Sequence, residues 1–574
     1  MRRTDRTTVE RRRRERRRRI LLRWLVLLAC AAIIALVALI VVRGCGDDTS
    51  GTTTDGRTTT TTATTEGGSS TETSGVTDST DGPGSTDTTG VSGASSPNTT
   101  IAEYDPTEPG DTRIPGTFYG PINTTFEGLT MFRGNASRTY YGEGPVPKDP
   151  QILWKFGPMS GTSYVGTVKR TWTGTGWTGQ PSVFERDGKT WVVFGAYDYK
   201  IHFLDGETGE RLLPDFAVGD IFKGSAVLDP DGYPLIFMGC ADDKWRVIAI
   251  DRDKPTELFN LDSNKLPRRV WYGDWDSSVV IRNDYAFVGG ENSHFYILKL
   301  NRGYGADGKV TVDPQIVLDH PGWTASLLEK LGSQDVSVEN SPCLVGDRVY
   351  FSNGGGLVQG LDVSATLRDL ADGEAPATGA ESYPKVFHYW TGGDTDASIV
   401  ADEQGYLYVC QHSDKRSSVA VQRYKEAGQI MKLDPRMTGD GEDPVVWSIP
   451  VTKTATDGES GVWATACIYK DMVYVPTHTG DLLGIDRETG EIVWQKTLTE
   501  HAWASSVVVD GTLIVGDTYG VLHAWDVSDT RVDPPVVWEF TVPSGSALES
   551  TPAVWKGKIF LGSRDGYFYC FGDG

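Results

Sequence analysis

Polar and aromatic side chains stand just before or within eight short motifs of small residues that recur along most of the chain. Carboxylate and amide oxygens are the ligands that hard cations such as Ca²⁺ prefer, and tryptophan rings line many sites for polar organic ligands. If the eight motifs converge in space, these side chains predict a site for a cation or a polar ligand. The candidate residues are Gln180, Lys223, Asp276, Glu339, Asn340, Asp396, Trp463, Trp503 and Glu549.

Polar residues at the starts of strands also have an ordinary structural role, because they hydrogen-bond loop amides and ordered water. The other reactive residue types add no catalytic pattern. None of the eight histidines forms an HxH or HExxH spacing, and none of the seven cysteines is adjacent to another or part of a CxxC pair. The sequence therefore indicates neither a zinc site nor a disulfide framework, and we assign no catalytic residue.

The elements that must position these side chains are strands of a repeat. The clearest unit, residues 462–498, contains four short apolar stretches separated by turns rich in Gly and Asp. Four strands about ten residues apart form an antiparallel meander, which is one blade of a β-propeller. The first three strands recur eight times, which predicts an all-β fold with eight blades over residues 150–574.

The fourth strand recurs only seven times after the first blade begins, because the chain ends before an eighth copy. The missing copy is PQILWKF at residues 150–156, in which Trp154 matches Trp447, Trp494 and Trp538 at the ends of other fourth strands. An unpaired edge on the last blade would promote aggregation. We therefore predict that residues 150–156 close blade eight, and that the repeated tryptophans fill the space between neighbouring blades.

The segment GDLLGIDRETGEIVW at residues 480–494 resembles the repeat of quinoprotein-type propellers, known as the PQQ repeat. The stretch TMFRGNASRTYYGEGPVPKDPQILWKF at residues 130–156 is similar to the region that precedes the first blade in that superfamily. The resemblance covers about residues 127–574. The superfamily includes dehydrogenases that use pyrroloquinoline quinone (PQQ), and also non-catalytic scaffolds such as the propeller lipoprotein of the outer-membrane β-barrel assembly machinery.

The resemblance implies two different functions. Quinoprotein alcohol dehydrogenases hold PQQ against a disulfide of adjacent cysteines, bind Ca²⁺ and use an Asp base, whereas this chain has no adjacent cysteines and no CxxCH haem attachment. The leading expectation is therefore a non-catalytic scaffold without a cofactor, which binds a protein or a component of the cell envelope. The alternative is a PQQ-dependent alcohol or sugar dehydrogenase with PQQ and Ca²⁺ at the channel.

The N-terminal region predicts a membrane anchor. Residues 1–23 contain 12 arginines, and residues 24–42 contain no charge over a length of about 28 Å as a helix. Arginines on one side of a span keep that side in the cytoplasm, so we expect a cytoplasmic tail at 1–23, a transmembrane helix at 24–42 and an exported remainder. Cys45, preceded by Gly44, leaves lipidation open as an alternative.

Residues 43–114 are mostly Thr, Ser, Gly and Asp, a composition that predicts a disordered linker, and residues 115–149 are predicted to be an extended lead-in lying on the propeller. Residues 1–43 hold 13 arginines and three acidic residues, a net +10; because the whole chain is −22, the remainder carries −32. This charge disfavours nucleic acid as a partner. We expect a monomer located at the membrane with its propeller outside the cytoplasm.

Two insertions offer further hypotheses. A short helix is predicted at 324–331, between blades three and four. The blade-five insertion SDKRSSVAVQRYKEAGQ is basic, and loops often carry binding function. We therefore consider Lys415, Arg416, Arg423 and Lys425 as a second candidate surface for a partner.

Overall fold

The computed structural model describes residues 118–574, except 123–124, 166–167, 178, 268, 372, 415, 440, 452 and 456–457. No helix within this part of the chain is long and apolar enough to cross a membrane. The predicted tail (1–23), membrane helix (24–42) and linker (43–114) lie outside the described residues, as does Cys45.

The described chain forms eight four-stranded antiparallel blades, as the repeat predicted. Within each blade consecutive strands pair with one another, and the first strands of neighbouring blades approach each other around the axis. Blades one and eight each gain a short inner strand from the N-terminal lead-in, Gly128–Leu129 and Gly142–Glu143. In a meander of this kind, the connections after the second and fourth strands open on one face of the ring, which we call the mouth face.

The strand bounds of the first four blades are as follows. Blade one contains Ser182–Arg186, Lys189–Ala196, Lys200–Asp205 and Phe216–Ala217. Blade two contains Val227–Leu228, Leu235–Cys240, Lys244–Ala249 and Thr256–Asp262. Blade three contains Val280–Arg282, Tyr285–Gly290, His294–Lys299 and Gln315–Pro321. Blade four contains Cys343–Val345, Arg348–Phe351, Leu357–Asp362 and Lys385–Trp390.

The remaining blades repeat the pattern. Blade five contains Val400–Ala401, Leu407–Cys410, Ile430–Leu433 and Val445–Ile449. Blade six contains Cys467–Tyr469, Met472–Pro476, Asp481–Asp486 and Ile492–Thr497. Blade seven contains Val507–Val509, Thr512–Gly516, Val521–Asp526 and Val536–Thr541. Blade eight contains Ala553–Trp555, Lys558–Gly562, Phe568–Asp573 and, from the N-terminal side, Pro150–Phe156.

The predicted closure of the ring is confirmed. Strand Pro150–Phe156 pairs antiparallel with Phe568–Asp573, with Pro150 opposite Asp573 and Phe156 opposite Phe568. The last blade therefore has its fourth strand, and the two ends of the domain are joined in one sheet.

Two of the repeated tryptophans, Trp447 and Trp154, pack against the Thr-Gly turn of the following blade. The indole nitrogen of Trp447 donates to the carbonyl of Arg487 at 3.1 Å, beside Gly490. Trp154 makes the same contact in blade one, where it donates to the carbonyl of Gly206 at 3.0 Å. The predicted structural role of these tryptophans is confirmed, and it explains why the turns require glycine.

The lead-in enters the ring instead of lying on its surface. Residues 127–143, which we call the plug, contact all eight blades. Main-chain carbonyls of the plug accept from amides of the inner strands, for example Thr130 from Leu228 at 2.8 Å and Ala136 from Leu344 at 2.9 Å. The ring has eight inner edges that need partners in its channel, and the plug supplies many of them.

Two arginines of the plug, both fully buried, complete these contacts. Arg133 donates to the carbonyls of Ala466 at 2.8 Å and Ser506 at 3.1 Å, in blades six and seven. Arg138 donates to the carbonyls of Pro342 at 2.7 Å and Ser278 at 3.0 Å, in blades four and three. Burial, with a smaller contribution from the charge of Arg133, lowers the pKa of Arg138 to about 9, so its guanidinium group remains charged at neutral pH.

A belt of hydroxyl groups surrounds the plug. In most blades, the motif before the inner strand contains a Ser or Thr whose side-chain oxygen accepts from an amide of the preceding blade. Examples are Ser341 N to Ser398 Oγ at 2.9 Å and Ser398 N to Thr465 Oγ1 at 3.0 Å. The small residues of the repeat are therefore required because they link neighbouring blades.

Three insertions rise from the mouth face. Helix α1, Ala325–Leu331, confirms the predicted helix, and helix α2, Ser418–Ala427, lies in the blade-five insertion. The two helices pack together through Leu327, Leu331 and Ala420. The third insertion is a hairpin of strands Ser160–Val165 and Val168–Thr173 between blades eight and one. On the opposite face, a short hairpin pairs Gly303–Tyr304 with Val310–Thr311.

The contact between tryptophan and turn is testable with two glycine substitutions. Gly490 and Gly188 have similar positive φ angles, 75° and 72°, but a Cβ on Gly490 would lie 2.7 Å from Trp447, whereas a Cβ on Gly188 would have no atom within 4 Å. We expect the free energy of unfolding to fall by about 1–2 kcal/mol in both Gly→Ala variants, because alanine is disfavoured in the left-handed backbone conformation. In Gly490→Ala the free energy of unfolding should fall by about 1–3 kcal/mol more, because the added Cβ overpacks against Trp447.

Urea unfolding of both variants measures this difference. Equal losses of unfolding free energy in Gly490→Ala and Gly188→Ala would show that the tryptophan contact contributes nothing.

Candidate functional site at the channel mouth

A small cavity of about 30 Å³ lies on the axis at the mouth face. Phe132 of the plug is part of the cavity lining, and the rest of the plug occupies the channel behind the cavity. Four of the predicted residues, Lys223, Asp276, Glu339 and Asp396, line the cavity together with hydroxyls of the belt. The structure thus brings these side chains together, because the inner strands of blades two to five begin at the same level around the axis.

Lys223 is the cation at the centre of the acidic side of the cavity. Its ammonium lies 2.8 Å from Asp276, 3.2 Å from Glu291 and 3.5 Å from Asp274. Burial alone would lower the pKa of Lys223, but these carboxylates outweigh burial and hold it well above its usual value. Lys223 is therefore a permanent counterion.

The carboxylates outnumber this cation. Burial, followed by repulsion from Asp396 and Asp276, raises the pKa of Glu339 well above its usual value. Burial also raises the pKa of Asp274, to about 7, although Lys223 opposes the shift. Several acidic groups of the mouth are therefore held in an environment that disfavours their ionised form. An additional positive charge in the cavity would stabilise that form.

His412 is paired with the acidic groups of blade five. Its Nε2 lies 3.2 Å from Asp396 and 3.9 Å from Asp394. Burial alone would lower the pKa of His412, but Asp396 and Asp394 outweigh burial and raise it to about 9. His412 in turn lowers the pKa of Asp396, against the effect of burial.

An arc of aromatic rings continues from His412 along the opposite side of the mouth. His412 stacks on Trp463 with ring centroids 4.0 Å apart, and Trp463 contacts His478 at 4.1 Å. The indole of Trp503 donates to Nδ1 of His478 at 2.9 Å, and Trp177 meets Trp503 at 4.9 Å. The mouth therefore combines carboxylates on one side with aromatic faces on the other, an arrangement that favours cationic groups.

Three predicted residues make structural contacts. Gln180 accepts from the amide of Arg133 at 2.8 Å and donates to the carbonyl of Pro552, so it holds the plug. Asn340 donates to the carbonyl of Thr395 at 3.2 Å. Glu549 lies 3.3 Å from Arg564.

Arg416, predicted as part of a basic docking loop, is not available to a partner. Its guanidinium is buried beneath the two helices and lies 2.9 Å from Asp414, 3.1 Å from Asp394 and 3.4 Å from Asp335. Charge pairing within the insertion has drawn Arg416 inward. Lys415 lies outside the described residues.

Several residues of the mouth did not figure among the candidates, including Glu291, His412 and His478. Each follows the second strand of its blade, and that connection opens on the same face as the start of the inner strand. The position after the second strand was therefore the signal available in the sequence.

Three groups of described side chains have the geometry of a cation site, with ligand atoms within 4.8 Å of one another: Asp276, Glu291 and Glu339; Asp394, Asp396 and His412; and Asp335, Asp394 and Asp414. In the first group the ammonium of Lys223 already contacts two of the three carboxylates, and in the second His412 is itself the cation. In the third group the guanidinium of Arg416 contacts all three carboxylates. Each group therefore contains its own counterion.

Eight four-stranded blades and closure by an N-terminal strand define a β-propeller. The resemblance to propellers with PQQ-type repeats, predicted from the sequence, is confirmed. Residues 478–571 match the family model described as outer membrane protein assembly factor BamB. The chain is similar to BamB of Salmonella typhimurium, with 31% identity over 100 residues. The match covers 17% of this chain and 24% of the relative, so the chain spans about a quarter of that protein's length.

Solved structures include a quinohemoprotein alcohol dehydrogenase from Pseudomonas putida HK5, with 10% identity, 78% of this chain and 80% of that chain covered and a TM-score of 0.50. BamB from Moraxella catarrhalis has 14% identity, with 67% of this chain and 91% of that chain covered and a TM-score of 0.43. The dehydrogenase structure supports the fold alone.

The pairing of His412 predicts a pH dependence of stability. The folded protein holds the His412 proton up to a pKa of about 9, against 6.5 when unfolded. Its stabilisation is complete below pH 6.5 and is lost as the pH rises through about 9. From the two pKa values the loss is up to about 3 kcal/mol.

Urea unfolding between pH 6 and 9.5 measures this loss. In His412→Asn the fall in unfolding free energy across this range should shrink by about the same amount, while His388→Asn, at an exposed site on an outer strand, serves as the control. The same fall in His412→Asn as in the unsubstituted protein would contradict the assignment.

Proposed function

We propose that this chain is a membrane-anchored, non-catalytic propeller scaffold that binds a protein partner at its mouth face. The observation that carries the proposal is the plug. Residues 127–143 fill the channel with the chain's own side chains. The ring therefore offers a recognition face with a shallow charged cup, the cavity lined by Lys223, Asp276, Glu339 and Asp396, and not a chamber for a reaction.

The mouth does not fit PQQ, the cofactor of the alternative function. Organic cofactor sites typically occupy about 300–1,000 Å³, whereas the cavity measures about 30 Å³. PQQ is an anion, and the carboxylates of Asp276 and Asp396 on the lining would repel it. The described cysteines, Cys240, Cys343, Cys410, Cys467 and Cys570, are all free and buried.

The chemistry of the mouth instead fits a cationic side chain from a partner. A Lys or Arg side chain has a narrow tip that can approach the carboxylates, and its charge is attracted by the faces of Trp463 and Trp503. Complementary charge across an interface also accelerates association with a basic partner.

The hairpin beside the mouth supplies apolar contact area. Tyr164 is 64% exposed and Val168 is 54% exposed, while the base of the hairpin is held by hydrogen bonds to Tyr199 and Arg564. Exposed apolar side chains on a rigid support are a common feature of protein interfaces. The predicted membrane helix and linker would place this face at a distance from the membrane.

The proposal predicts site-specific cross-linking on the mouth face. A photoreactive phenylalanine analogue at Tyr164 of the full chain, in its native membrane, should give a discrete protein adduct. The matched control is the analogue at Val532, which is 47% exposed between the third and fourth strands of blade seven, on the opposite face.

The role of the cup is tested in the same experiment. Asp276→Asn with Asp396→Asn should reduce the Tyr164 adduct several-fold, because two acidic side chains that attract the partner are replaced by neutral amides. Equal adduct yields at Tyr164 and Val532, or an adduct indifferent to the neutralised cup, would refute the mouth face as the docking surface.

A further inference from the structure

A groove of about 840 Å³ runs along the outer side of blades four and five. One wall is the fourth strand of blade four, Lys385–Trp390, which is the outermost strand of its sheet. The other wall consists of residues 436–439 and 441–444, and Arg423 of helix α2 lies at the end nearest the mouth face. The groove shares no lining residue with the mouth cavity, so what it binds is independent of the proposed function.

The lining of the groove is basic, although the chain as a whole carries −22. Four described lining side chains are basic and two are acidic: Arg348, Lys385, Arg423 and Arg436 against Glu442 and Asp443.

Two of the four basic side chains, Lys385 and Arg423, form no ion pair with a carboxylate of the described residues. Lys385 is exposed. Arg348 lies 3.8 Å from the exposed Asp347, and Arg423 donates through Nε to the carbonyl of Trp390 at 2.8 Å.

The two carboxylates of the groove are already engaged by their own turn. Glu442 accepts from the amide of Gly439 at 2.6 Å, and Asp443 accepts from the amide of Val445 at 3.1 Å. Arg436 is paired with Asp434 at 2.7 Å, which leaves three basic side chains of the described lining against these two carboxylates. The described lining therefore has a small surplus of positive charge.

The backbone of the outer strand also faces the groove. Thr391 donates to the carbonyl of Gly356 at 2.8 Å, which makes this a hydrogen-bonded pair at the end of the ladder. Pairs alternate along an antiparallel ladder, so Trp390 and His388 are non-hydrogen-bonded pairs whose own N–H and C=O groups point away from the sheet. The carbonyl of Trp390 is indeed the one that accepts from Arg423, on the groove side.

We infer that this groove binds an extended acidic segment of a protein partner, which adds a fifth strand to blade four along Lys385–Trp390. The strand supplies outward N–H and C=O groups, and Arg348, Lys385 and Arg423 pair with acidic side chains along the added strand. Six residues of strand span about 20 Å, so the segment recognised is about six residues long. Main-chain bonding gives affinity and the charges give selectivity.

Two other roles for these cations are distinguished by the test. A lysine on an edge strand can serve to prevent pairing with other strands, and a row of cations can bind any polyanion regardless of its backbone. In the first case an acidic peptide does not bind, and in the second binding does not depend on amide groups.

The probe is a fluorescein-labelled hexapeptide of alternating Glu and Thr, titrated against the full chain in detergent micelles by fluorescence anisotropy. A short exposed strand addition should give a Kd between about 10 µM and 1 mM. The same peptide with every backbone amide N-methylated keeps its charge but loses the donors for strand pairing, and we expect it to bind at least about tenfold more weakly.

Charge reversal tests the contribution of the basic side chains that line the groove. The double variant Arg348→Glu, Lys385→Glu should weaken binding of the peptide by at least about tenfold. The matched control is Lys169→Glu on the mouth-face hairpin, which should leave the Kd unchanged. Thermal unfolding of each variant establishes that the propeller remains folded.

Three results would overturn the inference. They are no binding of the acidic peptide at about 1 mM, equal binding of the N-methylated peptide, and equal losses in the groove variant and Lys169→Glu. Inorganic polyphosphate serves as a competitor without a peptide backbone. If polyphosphate binds more tightly than the peptide, and N-methylation does not change binding of the peptide, the groove is a polyanion site instead.

Discussion

The interaction on which the rest of this structure depends is the pair of buried guanidinium groups at the hub of the ring. Arg133 and Arg138 donate to main-chain carbonyls of blades three, four, six and seven, and the backbone of the plug pairs with the others. An arginine suits this place because its planar fork reaches several carbonyls at once, whereas an unpaired buried carbonyl costs about 1–3 kcal/mol. The plug thereby makes eight inner edges into one assembly and leaves only a shallow cup at the mouth.

Much of the fold was predictable because a propeller repeats its hydrophobic pattern. Eight inner motifs, the missing fourth strand and the tryptophans Trp447 and Trp494 all have a counterpart in sequence periodicity. The plug was predicted only as an extended lead-in, because its partners are main-chain carbonyls, which leave no pattern of residue types. Nothing about Arg133 in the sequence distinguishes a hub contact from a surface charge.

The site was predictable in part for the same reason. Lys223, Asp276, Glu339 and Asp396 occupy equivalent positions in the repeat, so the topology places them around one axis. Glu549 shares that position, but its carboxylate lies 3.3 Å from Arg564. Gln180 and Asn340 lie nearer to their inner strands, and their amides hold the plug and the neighbouring blade. Whether a side chain at an equivalent position faces the cavity or the framework depends on the local partners, and a repeat does not encode these. The protein accordingly combines an acidic cup on its axis with a basic groove on its rim, two surfaces of opposite charge on one rigid framework.

The central claim is that the plug is part of the folded core of the ring. Hydrogen exchange of the full chain, followed by mass spectrometry of peptides that cover residues 127–143, tests it most directly. The account predicts that the hydrogen-bonded amides of the plug exchange as slowly as those of the inner strands that contain Leu344 and Ala401, because all of them open only when the ring unfolds. Complete exchange of the plug within seconds, while the blades remain protected, would contradict it.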